Sequence, residues 1–548
     1  MPRAPMAAMS LAILLAAAPA AAQHASHGAA GGAGTVPVFN GLGTVHHPVG
    51  TRSQAAQRFF DQGLRLCYAF NHDEAIRSFG EAARLDSTCA MAWWGIALAH
   101  GPNINLPMSP EAEQQALDAL ARARALLPHA TPSDRAYVEA LAARYGAPAG
   151  QNRAQRDSAY ADAMRGVMKR FPQDPDAAVL CAEALMDLRP WDLYDANGAP
   201  KPGAEEIVSI LEKAVANHPQ HTGALHLYIH ALEASAHPER AEVVADRLAK
   251  LAPDAGHLVH MPSHIYLRVG RYDDAASVNA RAIRVDRDYI RRYDIQTMYR
   301  MMYYPHNIHM RWSALCSAGR SADAAAAARD LNEAVTWDMV RQMPPMEFFR
   351  AVEYYTPARF GKWDTILALP APPADMAVTT GIWRYTRGLA LAATGKSPDA
   401  GAERESLAAV TARVPADAFF GLNPAKQLLE FATVLLDGEI AGRSGRTDDA
   451  VRLLTRAAAL QDSLRYDEPP PWYSTARQAL GAVLLGAGRT REAAEVYRED
   501  LKRFPENGWS LYGLAEAVKA SGEASAPALQ RFKRAWEKAD VEISASRY

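Results

Sequence analysis

The chain has 548 residues, 49% of them apolar and 22% charged, with a formal net charge of −2 and a pI near 6.8. That is the composition of an ordinary folded protein, long enough for several domains or one extended array. It offers no basic field for nucleic acid and no polybasic segment for anionic lipid, so neither partner is expected.

Residues 1–22 read as a secretory signal: Arg3 gives a positive start, Met9 to Ala18 a short apolar stretch, and Pro19 to Ala22 a run of small residues before a cleavage point. A permanent membrane span needs roughly 20 apolar residues, and neither this stretch nor any later one supplies them. Export is the expectation, into the periplasm if the source is bacterial. Residues 23–51 are rich in Ala and Gly and are expected to form a flexible leader, with His46 and His47 before Pro48 read as a solvated loop rather than a metal trap. Four cysteines (Cys67, Cys89, Cys181, Cys316) lack CxxC spacing, which excludes a zinc ribbon or a thioredoxin-type motif. Export allows a Cys67–Cys89 disulfide, with buried free thiols as the alternative.

From Arg52 onward helical periodicity dominates and strand alternation is almost absent. Ala56–Asp86 resembles a tetratricopeptide repeat (TPR): Gly63 is the small residue of a first helix, Asn71 the turn, Asp73–Ala75 the start of a second helix, with Phe79 and Ala82 following. The same grammar returns at His237–Ala241, Gly270–Ala275, Gly319–Ala324, Gly445–Ala450 and Gly488–Ala493, with degenerate copies at Gly361–Trp363 and at Gly388 with Gly395. An insertion of 15 residues around Asp286–Tyr304 separates two of these copies. The resemblance implies an all-α, TPR-like α-solenoid, a right-handed superhelix of helix-turn-helix units, roughly nine or ten in number. Residues 52–217 would hold irregular N-terminal repeats, 218–330 the regular ones, and 331–548 a C-terminal set. The strings at Cys89–Leu98, Gly256–Tyr272 and Tyr303–Met310 resemble an exported bacterial family of TPR proteins, which implies no particular activity.

Histidines fall in register with this repeat. Counting back fifteen residues from the small positions Ala241, Ala275 and Ala324 reaches His226, His260 and His309. Eleven back gives His230, His264 and Ser313; eighteen back gives Gly223, His257 and His306. Residues at i and i+4 share a helix face, and neighbouring helix axes lie about 8–10 Å apart, so imidazoles from successive first helices can converge. The resemblance implies that these helices line the concave groove. Ligands rich in nitrogen and free of thiolate suit Zn, Cu, Fe or Ni rather than Ca or Mg. Glu233 stays on the same side as His230 and is a candidate ligand or general base, although His-x3-His-x2-Glu is not the HExxH of zinc proteases.

Weaker candidates for the groove or its lid are His100, Tyr228, Tyr266, Tyr303, Tyr304, Trp191 and Asp192, the last two in the loop 187–204. Each aromatic has an ordinary reading as packed core. His72, His129, His218, His221 and His237 have loop or capping explanations. No GxSxG, Walker or GxGxxG motif and no CxxCH is present. The expected function is metal binding in the groove, with a small ligand or peptide as partner. A hydrolytic or oxidative metalloenzyme using the same site is one alternative, and a metal-free protein-binding scaffold is another.

Overall fold

The computed structural model describes residues 36–145 and 151–548; the expected signal and leader residues 23–35 lie outside them. Among the described residues the only ladder of strands is the short pair Phe419–Phe420 and Asn423–Pro424. The other regular elements are helices, and sequential helices pack as hairpins: α1 (Gln54–Cys67) with α2 (His72–Leu85), α3 (Ala90–Ala99) with α4 (Pro110–Ala125), α5 (Pro132–Tyr145) with α6 (Arg153–Arg170), and α7 (Pro175–Met186) with α8 (Ala204–Asn217). Then come α9 (Thr222–Leu232) with α10 (Glu242–Leu251), α11 (Gly256–His260) and α12 (Pro262–Val269) with α13 (Tyr272–Tyr293), and α14 (Tyr304–Ser317) with α15 (Ser321–Ala334). The C-terminal part continues the pattern to Ala535. This is an all-α, TPR-like solenoid.

Small residues set the helix spacing. A β-carbon at Gly63 on α1 or at Gly95 on α3 would stand 2.6 Å from the Phe79 ring of α2, so both glycines are where a large ring enters the groove between helices. Pro262 has no N–H to offer the preceding turn, which is why one first helix is divided into α11 and α12. The insertion after Asp286 lengthens α13 to 22 residues and adds a π-turn at Tyr299–Tyr303 before α14.

The array turns back on itself. The Tyr272 hydroxyl donates to the Pro505 carbonyl at 3.0 Å, the Trp509 indole to Cys316 at 3.1 Å, and Arg359 to Gln478 at 2.8 Å. The loop between Leu464 and Thr475 is thereby carried from the C-terminal half to the histidine-bearing helices, where Glu468 meets His264. All four cysteines are free and buried, so Cys67 and Cys89 form no disulfide. Among the described residues no helix is long and apolar enough to cross a membrane.

Residues 36–52 correct the expectation of a flexible leader. Leu42, Val45 and Val49 are buried, and polar hooks hold the backbone: Phe39 N–H donates to Gln62 at 2.8 Å, Arg65 to the Val45 carbonyl at 2.6 Å, and Gly50 N–H to Asp134 at 2.9 Å. His47 is no solvated loop residue. It is buried with its Nδ1 2.9 Å from Asp176, which also meets His221 Nε2 at 3.0 Å and accepts from the Tyr68 hydroxyl at 2.5 Å. The Ala/Gly-rich stretch before it hid this, for residues 36–52 contain no alanine and bury three aliphatic side chains.

Burial alone would lower the His47 pKa, but the hydrogen bond and charge of Asp176 outweigh it and raise it to about 9. Asp176 is correspondingly depressed, against burial, by His221 and His47. The histidine part of this stabilisation is therefore complete below about pH 6.5 and lost as pH rises through about 9. The Asp176 part is present above the usual carboxylate range and lost in acid. Replacing His47 with Ala should cost about 3–5 kcal/mol, read in chemical denaturation, because it leaves Asp176 short of a buried partner. Limited proteolysis of residues 36–50 in the parent should become faster above pH 9.

Candidate metal centre

The i, i+4 pair His226 and His230 projects from α9, and His257 enters beside it from α11. One repeat further, His260 and His264 project from α11 and α12, and His306 enters from α14. Within each group of three, one ligand nitrogen per residue lies within 4.8 Å of the others. The two tripods are copies of one pattern: a pair from one first helix and the eighteen-back station of the next. They also touch, with ring centroids of His257 and His260 5.6 Å apart and those of His230 and His264 5.5 Å apart.

Partners on the far side of each ring fix which nitrogen faces inward. His226 Nδ1 lies 2.7 Å from the Tyr68 carbonyl, His230 Nδ1 2.8 Å from Glu233 Oε1, and His264 Nδ1 2.7 Å from Glu233 Oε2. His260 Nδ1 lies 2.7 Å from Asn279 Oδ1, and the Asn279 amide is itself oriented by its donation to the Ala275 carbonyl. The Tyr68 carbonyl and Asn279 Oδ1 accept, so His226 and His260 carry their protons on Nδ1 and turn their Nε2 lone pairs inward, while Glu233 holds the Nδ1 sides of His230 and His264. His226 Nε2 stands 3.1 Å from His257 Nε2, close to the edge of about 3.3 Å that a tetrahedral ion with bonds of 2.0–2.1 Å requires. His230 Nε2 is buried with no hydrogen-bond partner. His260 and His264 bring their Nε2 atoms to 2.6 Å, a separation that two bare lone pairs cannot hold without a cation between them.

Burial lowers His226 and His306 to about 3 and holds His230, His257 and His260 well below the usual imidazole value, so these five rings are in the neutral, ligating form. His264 is the exception. Burial disfavours its charge, but Glu468 and Glu233 raise it to about 10. Burial and the neighbouring Glu468 charge push Glu233 well up; Glu468 is held down by His264 despite its own burial. One proton on His264 thus bridges it to His260, in the place where a metal ion would do the same work. Glu233 sits between the tripods as the oxygen partner of His230 and His264, rather than beside an open lone pair as a general base would.

The structure brings together six of the seven aligned histidines. His309 is not among them: its ring packs against Trp312, Phe348 and Phe349, with centroids 5.5–5.6 Å away. A third tripod would need histidine at Ser313, and without it His309 is left to the aromatic core. Tyr228 and Tyr266 do not line the centre either, for their hydroxyls donate outward to Glu212 at 2.8 Å and Asp246 at 2.6 Å. Tyr304 is held on the Arg287 side at 2.8 Å. His100 caps α3 and is felt by His72, but is in none of the ligand groups. Trp191 does reach the site, edge-on to His230 at 5.6 Å, and Tyr303 packs on His257 at 5.0 Å.

Four contributors escaped sequence reasoning. Phe70 is left-handed (φ 53°) and lays its ring against His226, His230 and His257 at 4.5, 5.8 and 5.2 Å. Tyr68, next to it, accepts from His226 through its carbonyl. Its ring occupies the space over Gly223, where a β-carbon would come within 2.6 Å of it, so the eighteen-back station of that repeat is glycine. Asn279 and Glu468 complete the set. His47, Asp174 and Asp176 also lie within ligand reach of one another, but their hydrogen bonds are those of the strap described above.

No protein-family model and no curated protein matches the sequence. Among solved structures the chain is similar to the human IFIT1 dimer with PPP-AAAA (13% identity, 89% of this chain and 92% of that one, TM-score 0.33). It is also similar to the Cut9–Hcn1 hetero-tetramer of the APC/C (13%, 88% and 96%, 0.26) and the P58(IPK) TPR domain (12%, 85% and 98%, 0.22). Likeness at this level carries no argument about function; the repeat architecture rests on the helix pairs themselves.

Asn279→Leu should strand the His260 Nδ1–H in the core and cost about 1–3 kcal/mol in urea unfolding of chelator-treated protein. His309→Phe, which keeps an aromatic ring among aromatic neighbours, should cost less than about 1.5 kcal/mol in the same assay.

Proposed function

We propose that this protein is an exported TPR-like repeat protein that binds two transition-metal ions, one in each histidine tripod. The repetition of the tripod carries the reading. A chance histidine cluster has no reason to recur one repeat later with the same pair, the same third ligand and an oxygen partner behind each imidazole of the pair. Three neutral nitrogens in the first tripod suit Zn, Cu, Fe or Ni, and the second would offer the same set once a metal ion displaced the His264 proton. Glu233, Asn279 and the Tyr68 carbonyl would act as the supporting shell that fixes tautomer and ring direction.

A metalloenzyme is the second reading, favoured by one observation. Three protein ligands leave an open coordination position, the arrangement of catalytic rather than structural sites, and a cavity reaches His230 and Glu233. A metal-free scaffold receiving a peptide has less support, because the histidine stations are filled by this chain's own Phe70, Tyr68 and Glu468.

Elemental analysis of tag-free protein should find two ions per chain. His257→Ala and His306→Ala should each remove one, while His309→Phe should leave both. Glu233→Gln, which keeps the shape but not the charge, should weaken metal affinity about 10–100-fold in competition with a chelator. Metal-free protein that takes up no ion when offered Zn, Cu, Fe or Ni would overturn the reading.

A further inference from the structure

A cavity of about 200 Å³ opens beside the first tripod and has His230 and Glu233 among its inner walls. Its outer wall is the loop 187–204, which interrupts the repeat grammar. The loop is built rather than loose: the Tyr194 hydroxyl donates to the Ala231 carbonyl at 2.6 Å, Ala236 N–H to Gly198 at 3.1 Å, and Lys201 N–H to Leu193 at 2.9 Å. Trp191 is held in the left-handed region (φ 57°), uncommon for a bulky residue and costing about 1–2 kcal/mol. Strain of this kind clusters at ligand sites, and here it turns the indole onto His230.

The lining divides by chemistry. Ile104, Met186, Leu193 and Tyr466 give an apolar body. The charged groups at the mouth are unevenly partnered. Arg189 and Lys201 both pair with Asp192, and Asp195 accepts from its own turn, from Asn197 and Ala199 N–H at 2.8 and 2.9 Å. Arg465 is different. Its backbone is clamped by Asn423 at 2.8 and 3.3 Å, yet its guanidinium makes no ion pair among the described residues. Arg465 is exposed and lines the cavity, and a planar cation on a fixed backbone beside an apolar lining suits a carboxylate. The volume exceeds the about 150 Å³ of a cavity that holds benzene.

We propose that this cavity binds a small organic monocarboxylate whose apolar body is about the size of one aromatic ring. Arg465 holds the carboxylate at the mouth, the body lies against Trp191 and Leu193, and the far end meets His230 and Glu233. The cavity therefore delivers one class of small molecule to the first tripod; only that last contact rests on the metal reading, and the recognition by Arg465 does not.

Calorimetric titration with benzoate, and with benzamide as its neutral isostere, tests this on full-length protein. Benzoate should bind at least tenfold more tightly than benzamide. Arg465→Gln should abolish that preference with little effect on benzamide, Arg465→Lys should restore part of it, and the preference should survive chelation. Equal affinity for the two compounds, or a preference unchanged in Arg465→Gln, would overturn the proposal. Metal uptake by the same samples keeps the two readings apart: selective binding by protein that takes up no ion when offered Zn, Cu, Fe or Ni would leave the pocket standing and sink the metal, and metal-loaded protein without selectivity would do the reverse.

Discussion

Everything at the centre of this molecule depends on four imidazoles whose outer nitrogens are committed. Oxygens of Tyr68 and Asn279 take the Nδ1 protons of His226 and His260, Glu233 lies beside His230 and His264, and the Nε2 atoms of His226 and His260 turn toward those of His257 and His264 in a buried space. Buried polar atoms without partners are costly, and lone pairs that face each other are worse. A positive charge inside stabilises such an interior. The His264 proton supplies one such charge, and a metal ion in each tripod would supply more, with both carboxylates behind to balance it.

The solenoid makes the arrangement possible by repeating a station, but a solenoid alone would leave it open. Closure comes from segments distant in sequence. The turn after α1 brings Tyr68 and Phe70 over the first tripod, the strap at 36–52 ties that hairpin to α7 through Asp176, and the loop around Glu468 arrives from the C-terminal half. A groove that partners would enter in other repeat arrays is here filled by the chain itself. What stays open is a single-ring-sized cavity at the His230 edge, walled by the loop that breaks the repeat.

Much of this was legible in the sequence because periodicity is a local signal. The positions of Gly, Ala and Pro within the repeat disclosed helix pairs, and counting from them aligned His226 with His260 and His257 with His306. The same counting placed His309 with the others, and there it failed: a station is only a direction, and whether a histidine finds partners depends on its neighbours, which Ser313 does not provide. Tyr228 and Tyr266 sit near the ligands in sequence but on the opposite helix face, bound to Glu212 and Asp246. Glu468 and Phe70 carried no signal at all. Their roles come from the closure of the array, a long-range property that no spacing rule encodes, and the strap was masked by the Ala/Gly-rich stretch that precedes its buried Leu42, Val45 and Val49.

The account stands on two ions in two equivalent pockets. Anomalous X-ray scattering from crystals of metal-loaded protein, collected above and below the absorption edge of the loaded metal, locates ions without assumption. Two peaks are predicted, one among His226, His230 and His257 and one among His260, His264 and His306. Peaks absent from both places, or a single ion held elsewhere on the chain, would contradict it.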